Sequence, residues 1–296
     1  MQTLGEALRE AVALLSAGDS DCARLDAELL LCEAAGTTRA RLIAWPERTL
    51  HPAQHARFID LLERRAEGEP IAYILGRREF WGLELALSPE TLIPRPDTEL
   101  LVECALQALP AHRPIVCADL GTGSGAIAGA LAHERPDWTL IAIERSAGAA
   151  AVAADNARRL QLRQMFVVRA DWMNAIAPGS LDAIVSNPPY VRDDDPHLHR
   201  GDLRFEPRTA LTAGESGLDA IRMITKLAMD RLRPGGWLAI EHGWDQGDPV
   251  RRLLRQAGFE NVNTHHDLAG HERVTSAVGR DAYATTNLAR QFPVIA

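Results

Sequence analysis

The stretch Ile115-Val-Cys-Ala-Asp119-Leu-Gly-Thr-Gly-Ser-Gly125 decides the fold: an apolar strand, an acidic residue near its end, three glycines, then the helical run Ala126 to Ala132. Glycines let the backbone approach a ligand closely, and a helix start directs N–H groups at it. A tight strand-to-helix turn also needs glycine for packing alone, so the loop by itself leaves both readings open. Outward from it, candidate elements alternate. Helices are expected over Thr98 to Leu109, Ala126 to Ala132 and Ala147 to Leu160, and strands over Ile115 to Leu120, Thr139 to Ile143 and Phe166 to Arg169. Further strands are expected at Leu181 to Ser186, Trp237 to Glu241 and Arg273 to Val278. Such a βαβ series predicts an α/β domain, a parallel sheet with helices on both faces.

Before this series the pattern is helical, with apolar residues at Leu4, Leu8, Val12, Leu14 and Leu15, and again at Leu25, Leu29, Leu30 and Leu31. Gly36 fits a helix stop, Thr37 or Thr38 a new N-cap, and Pro52 the first turn of a helix that turns Phe58, Leu61 and Leu62 inward. Pro70 ends the helices. Ile71 to Leu87 then reads as a hairpin, with Gly76 between β-prone stretches. The expected division is a helical domain at 1–70, a β-hairpin linker at 71–90, the α/β domain at 91–280, and a loose tail at 281–296 that shows no period.

The charged fraction of 24% and hydrophobic fraction of 46% are those of an ordinary soluble protein. No apolar run approaches the roughly 18 residues of a membrane helix. Glu6, Arg9 and Glu10 interrupt what would be a signal-peptide core, which implies the cytoplasm. A net charge of −8 gives no global attraction to a phosphate backbone, so direct nucleic-acid binding is disfavoured. Cys22, Cys32, Cys104 and Cys117 form no CxxC pair and read as buried thiols rather than disulfides or zinc ligands, and no metal site is expected.

The second strand of the series ends at Glu144, about 20 residues beyond the glycine loop, where a carboxylate can accept from both hydroxyls of a ribose. The spacing Gly121-Thr122-Gly123-Ser124-Gly125 is GxGxG rather than the GxGxxG that suits a pyrophosphate. An acidic Asp119 also suits a cationic ligand better than an anionic one. S-adenosyl-L-methionine carries a sulfonium and an ammonium group and no phosphate. Asp171-Trp172, at the end of the third strand, would set a carboxylate and an indole beside an adenine, although Trp172 also reads as a core aromatic.

Asn187-Pro188-Pro189-Tyr190 follows a strand at the carboxyl edge, where open α/β sheets bind ligands. Neither proline has an N–H, and each holds the preceding residue extended, so the loop is stiff and exposes carbonyls. It suits a planar nitrogen, in a carboxamide or an aromatic amine, whose delocalised lone pair must be aimed. The Asn187 side-chain oxygen and the Pro188 carbonyl can hold two N–H bonds while Tyr190 packs against the plane.

With these residues in view, the chain resembles the protein-glutamine N5-methyltransferases that modify bacterial peptide chain release factors. The resemblance runs through Arg24-Leu-Asp-Ala-Glu-Leu-Leu-Leu31, Glu69-Pro-Ile-Ala-Tyr73, Ile93-Pro-Arg-Pro-Asp-Thr-Glu99, the glycine loop, Asn187 to Tyr190 and Phe205-Glu-Pro-Arg208. It implies a helical N-terminal domain joined by a hairpin to a seven-stranded class I methyltransferase sheet, Rossmann-like, with its last strand antiparallel. It implies S-adenosyl-L-methionine as cofactor, with S-adenosyl-L-homocysteine as product, contacted by Gly121 to Gly125, Glu144, Trp172 and Asn187. It further implies methyl transfer to the side-chain amide nitrogen of the glutamine in the GGQ motif of class I release factors, held by Asn187, Pro188, Pro189 and Tyr190, in a monomeric enzyme. Two departures stand out: Glu144 where aspartate is usual, and a tail that continues past Arg280.

Thr98 and Glu99 match the family segment, yet could equally be a helix cap and first-turn acid. Glu206 and Arg208 read as an ordinary ion pair, and His242 as a satisfied sheet-edge side chain. The rivals are a glutamine methyltransferase acting on a ribosomal protein, and an adenine-amine methyltransferase, which would need a basic channel and a flipped base.

Overall fold

A computed structural model describes residues 2–18 and 22–280; the tail expected at 281–296 lies outside the described residues. The chain divides into two compact units, Met1–Arg77 with Pro196–Phe205, and Arg78–Asp195 with Glu206–Ala296. The division falls inside the hairpin rather than at residue 70, and the return of 196–205 to the first unit has no counterpart in the sequence reading.

The first unit is helical: α1 (Leu4–Ser16), α2 (Ala23–Ala35), α3 (Arg39–Ala44), α4 (Pro52–Ala66) and α5 (Ile71–Leu75). Thr3 and Glu6 close a capping box on α1, Thr38 caps α3, and Pro52 opens α4 behind a His51 cap. The core joins Leu4, Ala7, Ala11 and Leu15 of α1 to Leu30 and Leu31 of α2 and Phe58, Leu61 and Leu62 of α4. Leu14 and Leu25, expected inside, are exposed. In their place α2 buries two carboxylates: Asp26 meets Arg65 Nε at 2.8 Å, and Glu28 meets both Arg24 and Arg39. Arg65 also reaches Asp202 at 3.2 Å, and Arg204 donates to the Glu67 carbonyl at 2.8 Å, which ties the 196–205 stretch into this unit.

Ile71–Leu75 is a helix where a strand was expected, because Pro70 supplies its first carbonyl acceptors and Gly76 its left-handed stop. The hairpin itself is β1 (Arg77–Phe80) and β2 (Leu83–Ala86). Of the four cysteines, all free, Cys104 and Cys117 are buried, whereas Cys32 is half-buried and Cys22 exposed at the start of α2. The surroundings of Cys22 are therefore not the apolar ones expected.

The second unit continues with α6 (Glu99–Ala108), β3 (Val116–Leu120), α7 (Ala126–Glu134), β4 (Thr139–Glu144), α8 (Ala147–Arg159), β5 (Met165–Arg169) and β6 (Leu181–Ser186). After the Asn187 loop come α9 (Asp219–Arg231), β7 (Leu232–Glu241), α10 (Gly247–Gln256), β8 (Glu260–His266) and β9 (Glu272–Val278). Seven strands form one sheet in the order β5-β4-β3-β6-β7-β9-β8, parallel except that β9 runs antiparallel to both its neighbours. This is the class I methyltransferase sheet. Alternate side chains feed the two faces: Trp237 and Ala239 enter one core with α6 and α7, Leu238 and Ile240 the other with α9 and α10.

Strand order reverses between β3 and β6, and a crevice opens beyond the carboxyl ends of strands that diverge in this way. Leu120 and Ser186 are register partners, and Ser186 Oγ donates to the Leu120 carbonyl at 2.7 Å. The glycine loop and the Asn187 loop therefore leave the sheet side by side.

Candidate active site

At that edge lies a cavity of about 710 Å³. Its wall includes Gly121, Gly123, Glu144, Asp171, Trp172, Asn187 and Pro189, all singled out in the sequence, and Glu90, Leu92, Arg145, Ser146, Arg208, Asp219 and Met223, which were not proposed as ligand contacts. Four carboxylates and two guanidinium groups line it, a balance that favours a cationic guest.

Four of the glycine loop's five N–H groups are engaged within the protein. Gly121 and Thr122 donate their N–H groups to the Ile143 carbonyl at 2.9 and 3.0 Å, Gly125 to Thr122, and Gly123 to Glu144 Oε2 at 3.0 Å. A phosphate cradle would leave such donors free, and these four are engaged within the protein. Asp119, Thr122, Ser124 and Gly125 do not line the cavity. Asp119 is fully buried, its Oδ2 accepting the Thr122 hydroxyl at 2.5 Å and the Ala128 N–H at 3.1 Å, and so it builds the loop and the start of α7. Burial pushes its carboxyl up to about 6, against the opposing pull of those two donors. Gly125 has φ +84, a left-handed backbone that favours glycine.

Glu144 faces the cavity with Oε2 on Gly123 N and Oε1 on Ser146 N at 2.8 Å. Each carboxylate oxygen has about two acceptor directions, so one on each remains for a pair of hydroxyls. Trp172 adopts φ +46, a left-handed backbone unusual for a bulky residue, and such strain concentrates at functional sites. Trp172 both lines the cavity and packs against the second core.

Asn187 is half-buried on the cavity wall, and its Nδ2 donates to Thr98 Oγ1 at 3.1 Å. The donor end of the amide is thereby engaged, and Oδ1 is left as its free acceptor. Pro188 is buried and does not reach the cavity wall, whereas Pro189 does. Tyr190 is not on the wall either: it packs against the second core and donates its hydroxyl to Glu241 Oε1 at 3.3 Å. Burial and the neighbouring Glu241 hold that phenol above its ordinary range. Gln246 Nε2 donates to the Tyr190 carbonyl at 3.0 Å and pins the end of the loop.

Glu206 pairs with Arg95 and accepts the Ile93 N–H at 3.0 Å, and Arg208 lines the cavity. His242 is fully buried, with Nε2 on Thr275 Oγ1 at 2.8 Å and Nδ1 on the Gly243 carbonyl at 2.9 Å, and burial lowers its pKa. Thr98 and Glu241 belong to the site's framework and were not placed there from the sequence. Thr98 matched the family segment but read equally as a helix cap, and Glu241 looked like the end of a strand.

A family model described as the PrmC N-terminal domain matches residues 6–76, and one described as the methyltransferase small domain matches residues 96–201. A release factor glutamine methyltransferase of Pseudomonas aeruginosa is 52% identical over 257 residues, 87% of this chain and 93% of the relative. That of Salmonella typhimurium is 49% identical over 268 residues, 90% and 96% of the two chains. Among solved structures, the hMettl16 catalytic domain superposes with a TM-score of 0.55 at 20% identity, covering 75% of this chain and 83% of that one. A methyltransferase from Pyrococcus furiosus gives 0.52 at 18%, covering 75% and 98%. Those two likenesses concern the fold; the sequence relatives, nearly half or more identical along almost the whole chain, show that it belongs to the release factor glutamine methyltransferase family.

Proposed function

We propose that the protein transfers a methyl group from S-adenosyl-L-methionine to the N5 side-chain nitrogen of the glutamine in the GGQ motif of class I peptide chain release factors, in the cytoplasm. The observation that carries this reading is Asn187, set on the wall of an acidic cavity with its own donor committed to Thr98 and its oxygen free.

The residues present fit the cofactor. Four of the five loop N–H groups, those of Gly121, Thr122, Gly123 and Gly125, are engaged within the protein, and Glu144 keeps acceptor capacity for ribose hydroxyls. Glu90, Asp171 and Asp219 add negative charge for sulfonium and ammonium groups. When bound, the cofactor supplies an electrophilic methyl group on sulfur.

The chain's own work is to hold the amide. Asn187 Oδ1 accepts one N–H of the substrate carboxamide, and because the amide plane is then fixed, the nitrogen lone pair can be aimed. Among the described residues no hydrogen bond is donated to the Pro188 or Pro189 carbonyl, so a second acceptor remains available from the loop backbone. Acceptors already in place for the positive charge that develops on nitrogen lower the barrier without reorganisation. The product amide cation is a strong acid and needs no dedicated base.

The test is to incubate the protein with labelled cofactor and, separately, release factor, ribosomal protein and DNA, and to locate the methylated atom by mass spectrometry. Methyl on the GGQ glutamine N5 is the expected result. Label on a ribosomal glutamine or an adenine amine, with none on release factor, would replace this reading.

A further inference from the structure

Gln246 lies just before α10 and is 5% exposed. A carboxamide has two N–H bonds to give and an oxygen to accept with, and burying them without partners is costly. Here each finds one. Nε2 donates to the Tyr190 carbonyl at 3.0 Å and to the Gly217 carbonyl at 3.4 Å, while Oε1 accepts the Gly243 N–H at 2.9 Å. The backbone of Gln246 is fixed as well: its N–H donates to the Gly243 carbonyl at 2.9 Å, and its carbonyl accepts the Val250 N–H at 3.0 Å.

The three partners belong to separate parts of the site. Tyr190 closes the Asn187 loop, Gly217 precedes the start of α9, where Asp219, Ala220 and Met223 line the cavity, and Gly243 follows the end of β7. The approach is close, since a Cβ at Gly217 would stand 2.8 Å from Gln246 Nε2. Other ties hold the same stretch. The Val191 N–H donates to the Leu211 carbonyl at 2.8 Å, and the Val191 carbonyl accepts the Ala213 N–H at 2.9 Å, which fixes the chain just past Tyr190. Arg192 meets Asp245 at 3.0 Å, but both side chains are about half exposed and water screens the pair. Gln246 is the buried tie between the loop and the end of β7.

We propose that Gln246 is a positioning residue for methyl transfer: it fixes the Tyr190 end of the Asn187 loop against the start of α9, and so sets where the Asn187 oxygen stands on the cavity wall. The two prolines make the coupling stiff. Each has its φ locked and restricts the residue before it, so a displacement at Tyr190 is carried to Asn187 rather than absorbed between them. The inference rests on the proposed reading of Asn187 as the holder of a substrate carboxamide. Gln246→Met keeps the length of the side chain and removes both donors. Gln246→Asn keeps the carboxamide but is one methylene too short to reach all three partners.

The experiment compares wild type, Gln246→Met, Gln246→Asn, Asn187→Ala and the double variant Gln246→Met with Asn187→Ala. It reads kcat and KM on intact release factor, cofactor affinity by calorimetry, and melting temperature. Gln246→Met should lower kcat by about 10- to 100-fold, the scale for misplacing a reacting group by about 1 Å, with KM and cofactor affinity within about threefold of wild type. Gln246→Asn should lose less. In the Asn187→Ala background, Gln246→Met should cost less than about threefold more, because the group it positions is already gone. Wild-type kcat in Gln246→Met, or an undiminished loss in that background, would overturn the proposal. So would a parallel fall of cofactor affinity and melting temperature, which marks a merely structural role. If Gln246→Met does not fold, Gln246→Asn reads the same tie, and wild-type kcat there overturns it. Asn187→Ala separates the two levels: if it turns over normally, the amide-holding reading itself fails, whereas a loss confined to Asn187→Ala refutes only the role of Gln246.

Discussion

Glu144 Oε2 accepts the backbone N–H of Gly123 at 3.0 Å, so the acid at the end of β4 fixes the loop that leaves β3. One side chain thus shapes the cavity wall and offers itself to the ligand. Glu144→Ala removes both services and should weaken cofactor binding by about 10- to 100-fold, the worth of a charge-assisted hydrogen bond. Glu144→Gln, which retains one acceptor, should lose less. Calorimetry on folded variants checks the order, and an unchanged affinity in Glu144→Ala would take this residue out of the site.

Asn187→Ala deletes an acceptor aimed at the reacting group, and single-turnover rates at saturating cofactor should fall by about 10²- to 10³-fold. Cofactor affinity should move far less. Asn187→Asp keeps an acceptor but loses the Nδ2 donor to Thr98, so its rate should lie between alanine and wild type.

Asp119 makes stability depend on pH in an unusual direction for a carboxylate. Its folded pKa of about 6 lies above the ordinary value of 3.8. The folded state therefore keeps the proton where the unfolded chain has lost it. The contribution is complete below the unfolded pKa, disappears as pH rises through about 6, and is flat above. Asp119→Asn lacks this term. Denaturant unfolding at pH 4 and pH 7 should show the stability difference moving in favour of the variant by up to about 3 kcal/mol as pH rises. A constant difference would mean that Asp119 is ionised throughout.

Gly217 has φ +67, and a Cβ there would overlap the Tyr190 carbonyl oxygen. Gly217→Ala should cost about 1–3 kcal/mol in backbone strain. Because the clash displaces the Asn187 loop, turnover should also drop while cofactor affinity holds. Thermal melts alongside single-turnover rates separate these effects, and an unaltered rate would show that the loop tolerates the shift.

The parts that were legible in the sequence are those where one physical demand dominates. The buried central strands β3 and β6 are continuous apolar runs, and their loops carry glycine or proline at positions where little else fits. β8 escaped because an edge strand of Glu260-Asn-Val-Asn-Thr-His-His266 buries little and shows no apolar alternation. The helices α9 and α10 were not assigned, although Ile221, Ile224, Val250 and Leu254 are buried on them. In the site, the residues with unusual local chemistry were readable and line the cavity: Glu144, Trp172 and Asn187. The partnership of Asn187 with Thr98 spans 89 positions and that of Tyr190 with Glu241 spans 51. Spacing along a chain carries no signal for such pairs.

The helical unit is discontinuous, and that has a consequence for how the protein is made. Among the described residues, the buried members of its apolar core lie between Leu4 and Ile74, so the core can condense as soon as that stretch has left the ribosome. Its polar clasp cannot: Asp202 joins Arg65 across 137 positions, and Arg204 reaches the Glu67 carbonyl over an equal distance. Domains generally condense in order of synthesis, but here the first to begin is not the first to finish. The clasp stretch starts six residues beyond Tyr190, so the nascent helical unit is completed only after the Asn187 loop has been synthesised.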